Sequence, residues 1–140
     1  MTMHYLLDTN VVSEPLRPKP NSHILARLKQ HADELVLASV VWHELWYGCE
    51  RLPASTKRSM IEKYLNEVIG RSIPILPYDD RAAQWHAKER ARLAARGKTP
   101  PFVDGQIAAI AYVNDLTLVT LNVSDYSQFQ DVRVENWGKS

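Results

Sequence analysis

Apolar positions along the chain follow two spacings, and the switches between them predict the elements. Short apolar runs bounded by polar or turn residues fall at residues 4–7, 34–38 ("ELVLA"), 73–76 ("IPIL") and 116–121 ("LTLVTL"), each of strand length. "VRVE", residues 132–135, predicts a fifth strand. Between them the spacing lengthens to that of a helix. Residues 10–16 form a short helical stretch ended by Pro15 and Pro18, and "NSHILARLKQHA" is an amphipathic helix with Ile24, Leu25 and Leu28 on one face. Ser39 is placed to cap the helix that runs through "VVWHELWYGCERL" and stops at Pro53. A further helix over residues 55–69 turns Ile61, Leu65, Val68 and Ile69 inward. Asp79 or Asp80 starts a long one that reaches Arg96 and stops at Gly97 and the Pro100–Pro101 pair. Residues 103–113 are nearly all apolar, which predicts a buried helix.

Strands that alternate with helices need parallel crossovers. The chain is therefore expected to be α/β, with helices on both faces of a mostly parallel sheet of four to five strands. Its 140 residues suffice for one domain spanning 1–140, and no repeat or linker divides them. Composition narrows the class. Hydrophobic residues make up 45%, enough for an ordinary core, and no apolar run approaches the ~20 residues that span a bilayer. No signal pattern opens the chain, and a lone cysteine, Cys49, excludes an internal disulfide, so the cytoplasm is the expected compartment. Seventeen basic against sixteen acidic side chains leave overall charge unable to attract nucleic acid, so such binding would need a local patch.

Chemistry enters with the positions that this topology brings together. Ligands of open parallel sheets collect at the carboxyl ends of the strands. Asp8 ends the first predicted strand, inside "LLDTNVVSE", and Asn122 and Asp125 lie just past the fourth. Asp104 opens the apolar helix, and Glu44 sits among Val40, Val41 and Tyr47 in the helix after the second strand. A carboxylate on an apolar stripe costs several kcal/mol to bury alone. Acids gathered at one rim raise one another's pKa unless a cation sits between them. Oxygen donors without a His or Cys cluster suit a hard ion, Mg²⁺ or Mn²⁺. One or two such ions beside a phosphate can generate hydroxide and hold the attacking and leaving oxygens.

Four motifs in order, "LLDTNVVSE", "SVVWHELWYGCERL", "PPFVDGQIAAIA" and "LVTLNVSDYSQF", make the chain resemble the PIN-domain family, and within it the VapC-like toxin ribonucleases of bacterial toxin–antitoxin pairs. The resemblance covers essentially the whole chain. It implies a small three-layer α/β/α sandwich and endonucleolytic cleavage of RNA by metal-activated water, with Mg²⁺ as cofactor and Mn²⁺ able to substitute. Matched by motif, Asp8, Glu44 and Asp104 are the family's three acidic positions, implied to hold the metal and carry catalysis. Asn122 stands where many members have a fourth acid, which leaves Asn122 or Asp125 as the remaining ligand. Thr9, Asn10 and Thr120 are expected to orient Asp8 by hydrogen bonds. The family's usual arrangement implies a homodimer bound by a VapB-like antitoxin, often with a basic antitoxin side chain entering the acidic pocket, and an RNA substrate without membrane contact.

Each of these residues also has a plainer role open to it. Asp8 can cap a helix, Glu44 can pair with Arg51, Asp104 can accept from the Ile107 amide, and Asn122 can be a turn residue. The five histidines show no ligand spacing with Cys49, so zinc is not expected, and His43 is expected to be structural. Trp42, Trp46 and Tyr47 are expected to serve core or dimer packing before base stacking. Arg81, Lys88, Arg92 and Arg96 give the long helix a basic face, either simply solvated or tracking RNA phosphates, opposite small residues at 83, 87, 91 and 94. The rival reading of the whole is a receiver-like or non-catalytic module with an acidic pocket. A receiver needs adjacent acids after strand one and a lysine after a late strand, and the sequence has neither.

Overall fold

Tyr5–Leu7 (β1) emerges with Leu6 and Leu7 fully buried, and a strand buried on both faces needs neighbours on both edges. It has them. The computed structural model, which describes residues 2–139, pairs β1 in parallel with Leu35–Ala38 (β2) in the register Tyr5↔Leu35. On its other edge lies Thr117–Val119 (β4), with Leu6 opposite Leu118. Ile75–Leu76 (β3) and Val134–Glu135 (β5) close the two edges, giving the order β3-β2-β1-β4-β5 with every pair parallel. The expected fifth strand is present, and the sheet is wholly parallel.

The helices follow the predicted order: α1 (Thr9–Val12) and a 3₁₀ turn (Glu14–Leu16), α2 (Ser22–Gln30), α3 (Ser39–Glu50), α4 (Thr56–Lys63), α5 (Gly70–Ser72), α6 (Asp80–Ala94), α7 (Phe102–Val113) and α8 (Val123–Tyr126). Steps from β1 to β2 to β3 move toward one edge of the sheet, and the steps to β4 and β5 move toward the other. Right-handed crossovers therefore carry the two sets of connections over opposite faces. The reversal falls between β1 and β4. A crevice opens there, outside their carboxyl ends.

Three local expectations change. Val68 is 51% exposed, because a π-helical turn (Tyr64–Ile69) links α4 to α5. Its i→i+5 bonds widen the turn, which keeps Ile69 over Leu65 and rotates Val68 outward. The alanine stripe of α6 is not its packing face. Ala82, His86, Glu89 and Leu93 are buried instead, while Ala87, Ala91 and Ala94 are exposed. The third change is at Ser39, which is the first residue of α3 and makes no cap bond, since Ala38 holds the cap position.

Candidate active site

Asp8 follows β1 directly and is 8% exposed, a carboxylate held in the protein by a full set of donors. Its Oδ1 accepts from the Thr9 amide at 2.8 Å. Its Oδ2 accepts from the Thr120 hydroxyl at 2.8 Å and from the Tyr126 phenol at 3.3 Å. Thr120, fully buried past the end of β4, accepts in turn from the Asn122 amide at 3.1 Å. Asn10 Oδ1 accepts from the Leu121 amide at 3.4 Å. The loop after β1 is thus laced to the loop after β4, with Asp8 at the crossing point. Thr120 bonds Asp8 directly, while Asn10 ties the two loops together without touching that carboxylate. Thr9 acts through its amide, while its hydroxyl is buried and makes no hydrogen bond of standard geometry.

A cavity of about 460 Å³ opens over this crossing. Asp8, Glu44, Asp104, Asn122 and Asp125 all line it. Asp104 is the third residue of α7, whose cap position is Pro101, so its carboxylate does not cap the helix. Burial, then the charges of Asp125, Asp8 and Glu44, push its carboxyl up to about 6. Asp125 is the largest of those charges, on α8 one turn beyond Asn122. Sequence position alone favoured Asn122 as the nearer group. Both residues line the cavity, and of the two only Asp125 adds charge to the field at Asp104.

Glu44 departs from its expected burial. Its side chain is exposed at the cavity rim, reaching in from α3, so it escapes the cost of a carboxylate sealed among valines. Partial burial and then Asp8 raise its pKa, while His43 and the Thr9 hydroxyl pull it down. His43 is likewise exposed, and with Glu44, Val103 and Gln106 it lines a recess beside the main cavity instead of serving the core. Tyr126 was not anticipated. Its phenol is raised far above the ordinary range by burial and then by Asp8, so it remains a hydrogen-bond donor to that carboxylate. Arg17, also unanticipated, is the one cation lining the cavity among the described residues, loosely paired with buried Glu14 at 3.8 Å.

The basic face of α6 is elsewhere. Arg81 borders a separate cavity with Asp115 and Arg133, next to the start of β4. Arg92 is tied to Glu89 by two bonds of 2.8 and 2.9 Å and donates to the Gln128 carbonyl, because Glu89 is buried and needs a counter-charge. Lys88 and Arg96 are exposed but do not line the carboxylate cavity. The all-oxygen donor set, in which burial and neighbouring acids raise Glu44 and Asp104, is what a hard divalent ion would relieve. Among the described residues no three acidic, histidine or cysteine side chains are drawn close enough to clasp an ion as they stand. The donors fit such an ion in kind, and binding one requires the carboxylates to close in.

The chain is 35% identical over 127 residues to "Toxin FitB" of Neisseria gonorrhoeae, covering 86% of this chain and 89% of that one. It is 31% identical over 136 residues to "Ribonuclease VapC2" of Haemophilus influenzae, covering 96% and 98%. A solved structure of FitAB bound to a DNA fragment superposes with a TM-score of 0.89 at 31% identity, covering 97% of this chain and 96% of that chain. The family model for the PIN domain matches residues 5–131, which takes in every carboxylate of the cavity, and the chain belongs to the PIN-domain family.

Proposed function

We propose that the chain is the toxin of a toxin–antitoxin pair, an endoribonuclease that cleaves RNA phosphodiester bonds with the help of Mg²⁺ or Mn²⁺. The observation that carries this reading is the meeting of Asp8, Glu44, Asp104 and Asp125 at the crevice between β1 and β4, with Asp104 raised to about 6 by burial and then by its acidic neighbours. Such a site repels its own charges until a cation enters. Asp8, Glu44 and Asp104 would hold the ion, with Asp125 favoured over Asn122 as the further donor. A bound divalent ion supplies Lewis acidity, which lowers the pKa of water and offsets charge on phosphate. The chain's own share is orientation. Thr9, Thr120 and Tyr126 fix both Asp8 oxygens, and Arg17 stands where it can meet a phosphate on the rim. No lysine lines the cavity among the described residues, which weighs against phosphate transfer to Asp8 as in a receiver.

The relatives support the partners. "Toxin FitB" and the FitAB complex pair such a chain with a second component, and we assign this chain an antitoxin of the same kind and a homodimeric state. No helix among the described residues is long and apolar enough to cross a membrane.

The test is RNA cleavage by the purified chain. Asp8→Asn, Glu44→Gln and Asp104→Asn should each abolish cleavage with the fold intact by circular dichroism, and a chelator should do the same reversibly. Mn²⁺ calorimetry separates the fourth position: Asp125→Asn should lose nearly as much affinity as Asp104→Asn, while Asn122→Ala changes little. Folded triple-site variants that cleave at the unmodified rate would remove the assignment.

A further inference from the structure

Two exposed aromatic side chains, Tyr47 and Phe102, stand on the helices that bring Glu44 and Asp104 to the cavity, and each carries an arginine. On α3, His43, Tyr47 and Arg51 stand four residues apart on one face. The His43 and Tyr47 rings stack with centroids 6.2 Å apart and planes 22° apart, and the Arg51 guanidinium lies 5.0 Å over the Tyr47 ring. Tyr47 is 58% exposed. The row begins at the site, since His43 lines the recess that shares Glu44 and Val103 with the main cavity. At the start of α7, Phe102 precedes Val103 and is 49% exposed. The Arg90 guanidinium lies 5.2 Å over its ring, and the buried His86 ring is 4.7 Å from it.

Neither group is explained by the core. Large rings left in water forgo the stabilisation that burial would give. Among the described residues neither Arg51 nor Arg90 forms an ion pair, in contrast to Arg58, Arg92 and Arg133. Each wall therefore offers a part-exposed ring that carries an unneutralised guanidinium, beside a cavity of carboxylates that would otherwise repel a polyanion.

We propose that these two aromatic–arginine walls are the track that holds single-stranded RNA across the site, an inference that rests on the ribonuclease reading above. Bases flanking the scissile phosphate stack on Tyr47 and on Phe102, and their phosphates meet Arg51 and Arg90. Every base has a π-face, so the track tolerates sequence. It rejects a duplex, whose bases are already stacked and paired. Of the basic residues of α6 the track draws on Arg90, while Arg92 is committed to Glu89.

The test is fluorescence anisotropy of a labelled single-stranded RNA at fixed salt, with the full chain carrying Asp104→Asn and a chelator present so that the RNA stays whole. Adding Tyr47→Ala or Phe102→Ala should weaken binding by about tenfold, the scale of one lost base stack. Tyr47→Trp should retain binding, and Lys88→Ala with Arg96→Ala should shift it less than twofold. A duplex of the same sequence should bind weakly and be indifferent to Tyr47→Ala. Unchanged single-strand affinity in both alanine variants overturns the track, while cleavage by the unmodified chain would leave the ribonuclease reading standing. If Tyr47→Ala instead halves the particle mass by light scattering with RNA affinity intact, the face belongs to a second copy of the chain and the track is again overturned. An unmodified chain that neither binds nor cleaves RNA would sink both.

Discussion

The single Asp8 carboxylate accepts three hydrogen bonds from residues near both ends of the chain, and this is where the site is most rigid. Asp104, on the same cavity, shows the cost of burying a carboxyl and then gathering acids around it. With its carboxyl raised from 3.8 to about 6, the folded chain binds that proton more tightly than the unfolded chain. The resulting stability is fully present below pH 3.8 and is lost as pH rises through about 6. Asp104→Asn removes the charge and should stabilise the metal-free protein at pH 7 by roughly 1 kcal/mol, a figure discounted for solvent screening. Urea unfolding of both proteins should show that gap at pH 7 and close it near pH 3.8; equal stabilities at pH 7 would contradict the crowding of charges. Comparison of the two proteins also cancels the opposite trend of Glu89, whose pKa Arg92 lowers and whose stabilisation fades as pH falls. Asp8 and Asp104 were legible as candidates because acids at strand ends and helix starts are local facts, and Glu44 because a carboxylate among apolar helix neighbours stands out. The field of Asp125 and the Tyr126 bond were not, because both depend on how α8 turns after β4. Glu44 was misjudged in burial for a related reason: helix periodicity assigns a face but not which part of it a crevice leaves open.

Among the elements, α6 and α7 share the most extensive contact in the fold, and one residue permits it. A Cβ built on Gly105 would lie 2.1 Å from His86 Nε2, and the His86 ring has little room to retreat, since its Nδ1 is hydrogen-bonded to the Tyr78 hydroxyl at 2.8 Å. Gly105→Ala should therefore force α7 off α6 and cost about 3 kcal/mol, the upper range for overpacking a core. It should also reduce cleavage, because Asp104 is the adjacent residue. Thermal melts would show the loss, and adding His86→Ala should recover part of it; a Gly105→Ala protein as stable as the parent would mean that the helices are free to part. The element order was readable from apolar spacing and breakers, including all five strands. The packing face of α6 was not, because His86 and Glu89 look like surface residues until their partners, Tyr78 and Arg92, are in place. The π-helical turn left no mark in the apolar pattern either, and it alone accounts for the exposed Val68.

Across the whole molecule, the strand order sets what must exist before anything works. Tyr5 pairs with Thr117, and the Thr120 hydroxyl reaches Asp8 across 112 positions of sequence. A chain stopped at residue 115 lacks β4, β5 and α8, so β1 has one open edge and Asp8 loses two of its three donors. Such a fragment should show no cooperative melt and no RNA cleavage; a sharp transition in its thermal melt would refute the claim that β4 completes the core. The same order governs events during synthesis. The central strand is made first and its inner partner nearly last, so the growing chain waits at the ribosome with its sheet half built. A chain that folds as it is made therefore cannot fix the Asp8 carboxylate until β4, Thr120 and Tyr126 have followed.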